Sequence, residues 1–389
     1  MIDRRLNQAI DLMARFMVDT GLTGDRPARR YLWTDAFAVT NLLKLHRRTG
    51  DRQYRELALA LVDQVHYVLG RHRGDDGRAG WLSGLVAGDA EAHPTSGGLR
   101  IGKPLPERTP TDPIDERLEW DRDGQYFHYL TKWMLALDRV ARATRQPAFN
   151  VWARELAAVA HRTFVRATPG GTRMYWKMSI DLSRPLVAAM GQHDPIDGWI
   201  TCVELDVTTC DLAAAPRPSL ALAAADFGAM APRQQLATTD PLGLGGLLVD
   251  ASRVASLMRR GAWPGPRELL DELLEAAVVG LAGYCASAEL GAPAAQRLAF
   301  RELGLAIGLA AAHSWASHAQ SGDRFPGSVV ARDALRECGR YASLRGDIES
   351  FWLEPVHRSA PAWLAHADIN GVMLATALLS GAFPASAGG

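Results

Sequence analysis

Apolar residues recur along this chain at helical spacing and rarely alternate with a period of two. Ile2, Leu6, Ile10, Met13 and Met17 fall on one helical face, and so do Leu57, Leu61, Val65 and Val68. The pattern predicts helical segments at 2–19, 31–48, 52–71, 123–144, 147–167, 197–208, 217–230, 242–260, 267–288, 296–318, 328–343 and 362–381. These twelve segments group into six antiparallel pairs, with the last pairing with the first if the array closes on itself. Tight turns join the partners. Thr49-Gly50-Asp51 supplies a glycine stop, Arg145-Gln146-Pro147 puts a proline in a first helical turn, and Ser321-Gly322-Asp323 closes a later pair. A shorter pair, 197–208 and 217–230, brackets Pro216 and Pro218. No run of β-branched residues predicts a strand. The expected architecture is all-α, one domain over 1–389, with 383–389 as a frayed tail.

The connections alternate short and long. The longest, Arg73 to Glu119, carries Trp81 and His93 and ends in Glu119-Trp120-Asp121-Arg122-Asp123. The next carries Tyr175-Trp176-Lys177 and ends in Gly191-Gln192-His193-Asp194-Pro195-Ile196-Asp197. In an up-and-down helical array, alternate loops share one face. Long loops rich in Trp, His and carboxylates on one face are how such a scaffold builds a pocket. Each helix that follows a long loop also points its partially positive N-terminus at that face, where acidic residues and substrate hydroxyls are stabilised.

Composition narrows the chemistry. Hydrophobic residues make up 48% and charged residues 22%, as in ordinary globular proteins. Lys+Arg and Asp+Glu are both 43, so formal charge is zero, which argues against nucleic acid or an anionic membrane as partner. The first residues lack a signal-peptide core, and no apolar run approaches the roughly 18 residues of a membrane span, so a cytoplasmic protein is expected. Cys202, Cys210, Cys285 and Cys338 show no zinc spacing and are expected as buried reduced thiols. Dinucleotide, phosphate-loop, zincin and nucleophile-elbow motifs are missing, so neither cofactor nor metal is expected. Tryptophan is the unusual count, at 11. Trp33, Trp81, Trp120, Trp176, Trp199, Trp352 and Trp363 fall in long loops or at the helix starts after them, where flat rings can stack on sugar faces.

Candidate site residues follow from position. Asp35 sits one turn into a helix beside Trp33, where it either complements the helix dipole or faces a pocket. Glu119, Asp121 and Asp123 are more acids than one helix start needs: Asp123 can cap the helix, which leaves Glu119 and Asp121 without that duty. Gln192, His193 and Asp194 offer a donor, a titratable base and an acceptor, although Asp194-Pro195 also reads as a turn. Lys177, Tyr126, Glu349, Trp352 and His366 complete the set.

Two stretches, Tyr31-Leu32-Trp33-Thr34-Asp35-Ala36 and Glu119-Trp120-Asp121-Arg122-Asp123-Gly124-Gln125-Tyr126, are similar to the aromatic and acidic helix starts that line sugar pockets in the six-hairpin glycosidase superfamily. With the six helical pairs, the chain resembles that superfamily over nearly its whole length. The resemblance implies an (α/α)6 toroid and a saccharide or glycoside as small-molecule partner. It implies first a glycoside hydrolase with paired carboxylates, Asp121 or Asp123 opposite Asp197 or Glu349, and with Trp33, Trp120, Trp176 and Trp352 stacking on sugar rings. The superfamily also includes sugar epimerases, for which His193 and His366 would be the acid and base, and non-catalytic saccharide binders. Paired acids, facing imidazoles, or aromatics without paired titratable groups distinguish the three.

Overall fold

The computed structural model describes residues 3–214, 217–231, 235–287, 289–320 and 325–383. Pro216, the Ser321-Gly322-Asp323 turn and the tail beyond Phe383 lie outside the described residues. The chain, read above as one domain, packs as two compact units: Thr20–Ala231, and Met1–Asp19 together with Pro232–Gly389.

Thr20–Ala231 holds three consecutive helical hairpins: Leu32–Thr49 with Gln53–Leu69, Phe127–Thr144 with Pro147–Phe164, and Asp194–Asp211 with Ala221–Met230. The partners differ in burial. Leu32–Thr49 is buried on every side from Leu32 to Leu42, including Thr34, Asp35, Thr40 and Asn41. Gln53–Leu69 buries one stripe, Ala58, Leu61, Val62, Val65, His66 and Leu69, and leaves the rest to solvent. Turn chemistry is as the pattern predicts. Gly50 takes φ 76° and its N–H donates to the His46 carbonyl at 2.8 Å, and Pro147 lies in its helix's first turn.

The second unit contains Arg4–Asp19, Pro241–Arg259, Glu268–Ala286, Ala299–Gln320, Val329–Cys338, Ala342–Leu353 and Ala367–Leu378. Two expectations need correction here. The segment predicted at 328–343 stops at Cys338, passes through a 3₁₀ turn at Gly339–Tyr341, and resumes as Ala342–Leu353. Leu344, Ile348 and Trp352 are spaced by four and all buried, so the stretch read as the last long loop is a packed helix. The final helix begins at Ala367, preceded by the short turn Pro361–Leu364.

Strands occur where none were expected. β1 (Gln125–Tyr126), β4 (Lys177–Met178) and β5 (Pro185–Val187) form a three-stranded sheet, and β2 (Val165–Thr168) and β3 (Gly171–Met174) form an antiparallel hairpin. Segments of two to four residues are too short to leave a period-two signal. Of the four unpaired cysteines, Cys202 and Cys338 are buried as expected, whereas Cys210 and Cys285 are exposed. Among the described residues, no helix is long and apolar enough to cross a membrane.

Candidate active site

The small sheet builds the site. β1 runs directly into the Phe127–Thr144 helix and pairs antiparallel with β4, with Gln125 opposite Met178 and Tyr126 opposite Lys177. The Phe127 N–H donates to the Trp176 carbonyl at 3.3 Å, and the Trp176 N–H donates to the Val187 carbonyl at 3.2 Å. Gly124 makes the approach possible: at φ 149° a Cβ there would lie 2.8 Å from the Met178 carbonyl oxygen and 2.9 Å from Lys177 Cε. The loop after the second hairpin is thereby clamped against the start of an almost fully buried helix, and Trp176 is brought to His128.

Around this clamp the rings form one cluster, all within Thr20–Ala231. Tyr126 stacks on His128 (centroids 5.5 Å apart) and contacts Tyr129 at 5.4 Å and Trp176 at 6.0 Å. Trp120 meets Trp176 edge-on at 4.8 Å, and Trp33 lies 5.3 Å from Tyr129 and 5.8 Å from His128. The Tyr31 and Tyr129 hydroxyls are 2.6 Å apart, and Lys103 Nζ lies 5.5 Å from the Tyr31 ring centre. Burial pushes the Tyr31 phenol up to about 12 and the Lys103 ammonium down from its ordinary value.

Two carboxylates, Asp121 and Asp197, act on this cluster, and a third, Asp194, adjoins Asp197. Asp121 is exposed, and among the described residues its carboxylate has no hydrogen-bond partner. Its charge acts on Tyr31, Tyr126 and Lys103. Asp194 and Asp197 share the first turn of Asp194–Asp211, three residues apart and therefore on one face. Asp197 Oδ2 accepts from Lys132 Nζ at 2.7 Å and from the Thr131 hydroxyl at 2.5 Å. Asp194 Oδ2 is buried without a partner, and the backbone closes over it: a Cβ at Gly191 would lie 2.3 Å from that oxygen. Burial, followed by the neighbouring Asp197 charge, raises the Asp194 carboxyl to about 7, against a smaller opposing pull from Lys132. One face thus carries an acid that keeps its proton near neutrality beside a carboxylate held by a lysine.

The other candidates divide by their partners. Asp123 is fully buried; its Oδ2 accepts from Arg100 at 2.9 Å and Arg73 at 3.2 Å, and its Oδ1 from the Gly102 and Gly124 N–H groups. It ties the Arg73–Glu119 loop to the helix start and leaves no oxygen for chemistry. Glu119 is likewise occupied, by Arg108 at 2.7 Å and by Lys177, whose Nζ is also bound by the Glu119 and Arg122 carbonyls. Burial lowers Lys177 to about 8, with Glu119 opposing. Asp35 accepts from the Tyr31 N–H at 2.8 Å and pairs with Arg30, so it serves the helix start. Gln192 is exposed and His193 half-buried at the start of Asp194–Asp211.

Glu349, Trp352 and His366 belong to the other unit. Glu349 is buried between Arg5 at 2.7 Å and Arg345 at 2.8 Å, and the fully buried Trp352 donates Nε1 to Glu302 at 2.8 Å. Both are parts of that unit's core, which corrects the expectation that they face a cleft. His366 precedes the last helix and meets Phe300 edge-on at 5.6 Å. Sequence reasoning missed His128, Tyr31, Tyr129, Lys132 and Lys103 as members of the cluster. It offered Asp194 as an acceptor or a turn former, and because it began the helix at 197 rather than at Asp194 it did not place Asp194 and Asp197 on one helical face.

The sequence matches no protein-family model, and no curated protein matches it. Solved structures do match in fold. An α-1,6-mannanase of glycoside hydrolase family 76 from Salegentibacter sp. HEL1_6 aligns over 96% of this chain and 98% of its own, with a TM-score of 0.53 at 11% identity. The family 76 α-mannanase of Bacteroides thetaiotaomicron, as a selenomethionine derivative, aligns over 96% and 95%, with a TM-score of 0.55 at 10% identity. An inactive variant of the Salegentibacter enzyme, with two adjacent aspartates replaced and α-1,6-mannotriose bound, aligns over 96% and 99%, with a TM-score of 0.54 at 12% identity. The likeness runs along nearly the whole of each chain and shows the fold: this is an all-α protein with the (α/α)6 fold of those structures.

Proposed function

We propose that this chain is a glycoside hydrolase that binds a saccharide on the aromatic cluster and uses Asp194 as general acid. The observation that supports it most is Asp194: a buried carboxyl with one unmatched oxygen, raised to about 7, on the same helical face as the lysine-bound Asp197, whose charge reaches His128 of the cluster. Glycoside cleavage needs one acid that still holds its proton at working pH and one carboxylate that does not. Asp194 supplies the proton to the departing glycosidic oxygen. Asp121, exposed beside Tyr31 and Tyr126, is the second carboxylate, acting on the anomeric carbon directly or through a water. Lys132 keeps the Asp197 charge in place, and that charge helps hold the proton on Asp194.

The fold neighbours suggest the substrate to try first. One was crystallised with α-1,6-mannotriose after two adjacent aspartates had been replaced to inactivate it. The only adjacent aspartates in this sequence, Asp75-Asp76, are held by Arg73 at 2.7 Å and Arg78 at 2.8 Å. Neither is offered unpaired, so the acid–base pair is assigned to Asp194 and Asp121. This difference also favours a second reading, a saccharide binder without turnover. The imidazole of the cluster itself, His128, is held neutral by burial and adds no acid–base group to the epimerase reading, which rested on His193 and His366.

The test is incubation with α-1,6-mannooligosaccharides and a panel of aryl glycosides, with product analysis by chromatography. Release of reducing ends that Asp194→Asn abolishes is the expected result. Binding by calorimetry with no turnover across the panel would replace the hydrolase with the binder.

A further inference from the structure

The cluster holds one imidazole whose hydrogen-bonding sense is set by a neighbour. Trp176 Nε1 lies 3.2 Å from His128 Nδ1. An indole N–H can only donate, so Nδ1 accepts, and the ring proton of the neutral imidazole is on Nε2. The ring cannot easily turn over. Tyr126 stacks on it, Tyr129 meets it edge-on at 4.7 Å, and Trp33 meets it edge-on at 5.8 Å. Trp176 is itself anchored through its backbone to Phe127 and Val187. Charged neighbours of His128 are Lys132, one helical turn on, and Asp197 across from it; burial first and Lys132 second keep the ring neutral, its pKa drawn down to about 3. Among the described residues, Nε2 has no protein acceptor, and it does not belong to the buried polar atoms that lack partners.

We propose that His128 is a specificity-determining residue, locked by Trp176 so that its Nε2–H donates to one hydroxyl oxygen of a neutral sugar ring stacked on the cluster. The proposal rests on the carbohydrate reading above and adds to it the sense of the contact. A donor that cannot switch to acceptor rewards a substrate oxygen at one place and penalises its removal, because the N–H is then left facing an apolar ring edge. The surrounding aromatics hold the sugar face, and His128 selects which hydroxyl pattern fits.

Two measurements test it. Ring ¹⁵N spectra of the Asp194→Asn protein should show His128 as the neutral Nε2–H tautomer from pH 5 to 8, and Trp176→Phe should give a mixture of tautomers. Titration with α-1,6-mannotriose should move the Nε2 resonance. In calorimetry, one monodeoxy analogue of the sugar should bind at least ~10-fold more weakly than its parent. That gap should close in His128→Phe and partly reopen in His128→Gln, whose amide places an N–H where Nε2 was. A protonated ring or the Nδ1–H tautomer overturns the fixed donor, whatever binds. A saccharide that binds without moving Nε2, or a deoxy gap that persists in His128→Phe, overturns the contact. A panel in which nothing binds overturns the carbohydrate reading, and with it the sugar hydroxyl as partner, while the tautomer decides the fixed donor separately.

Discussion

Two regions of this molecule are built from the same residue types and come out differently. In one unit, Trp352 donates to Glu302, and Arg297 clasps that carboxylate with Nε at 2.7 Å and Nη2 at 2.6 Å while its guanidinium lies 3.8 Å from the Phe351 ring centre. In the other, Trp120 and Trp176 meet edge-on, Asp121 next to Trp120 has no hydrogen-bond partner among the described residues, and Asp194 has one oxygen unmatched. Tryptophans, carboxylates and cations occur in both. What separates them is arithmetic: at Glu302 every oxygen is matched by a donor, whereas at Asp194 and Asp121 the donors run short. A carboxylate with all its lone pairs satisfied stabilises the fold, and one left short is available to a ligand or a proton.

The comparison breaks most sharply at Asp194. Asp194→Asn should lower kcat on a cleaved glycoside by roughly 10²–10⁴-fold, the span a general acid contributes, while melting temperature at neutral pH stays level or rises. A variant that unfolds, or one that keeps its turnover, would return Asp194 to the structural class. At the other region the order reverses. Arg297→Met leaves Glu302 buried with only the Trp352 N–H, which should cost about 3–5 kcal/mol in urea unfolding, with kcat per folded molecule unchanged.

The pH dependence of stability gives the next largest effect. The Asp194 carboxyl is raised in the folded protein from 3.8 to about 7, so the fold binds a proton that the unfolded chain releases. Its stabilising contribution is complete below pH 3.8 and is lost as pH rises through 7. The melting temperature of Asp194→Asn relative to wild type should therefore climb between pH 4 and 8 and then level. A difference that stays flat over that window would mean the proton is held elsewhere.

How much of this was legible in the chain follows the same division. Helices and their pairing were readable because the helical spacing of apolar residues and the Gly and Pro stops are local signals. The Ala342–Leu353 helix was misread because its Glu-Ser-Phe-Trp run looked like loop composition, although Leu344, Ile348 and Trp352 held the spacing. The site was legible as a region and less so as residues. Asp121 and Trp120 were visible from excess acid and aromatic at a helix start. Asp123, Glu119, Asp35 and Glu349 carry the same local signature but are matched by Arg73, Arg100, Arg108, Arg30, Arg5 and Arg345, some of them far along the chain. Only the folded chain counts donors against acceptors. His128 was missed because the residue that fixes its role, Trp176, reaches it through a sheet whose strands are two or three residues long.

The smallest effect tests the comparison with a single residue type. Trp120 is 49% exposed and touches Trp176 and Tyr126, whereas Trp352 is fully buried. If exposure of Trp120 is the mark of a sugar platform, Trp120→Ala should raise KM about fivefold, equivalent to losing about 1 kcal/mol of ring contact, with kcat and melting temperature nearly unchanged. Trp352→Ala should instead cost about 3–5 kcal/mol of stability, with KM unaltered in the molecules that remain folded. The two substitutions remove the same side chain, so the split between KM and stability is read against a common chemistry. A Trp120→Ala protein that melts early with unchanged KM would place that ring among the packing residues, and would leave Asp121 standing beside a wall rather than a platform.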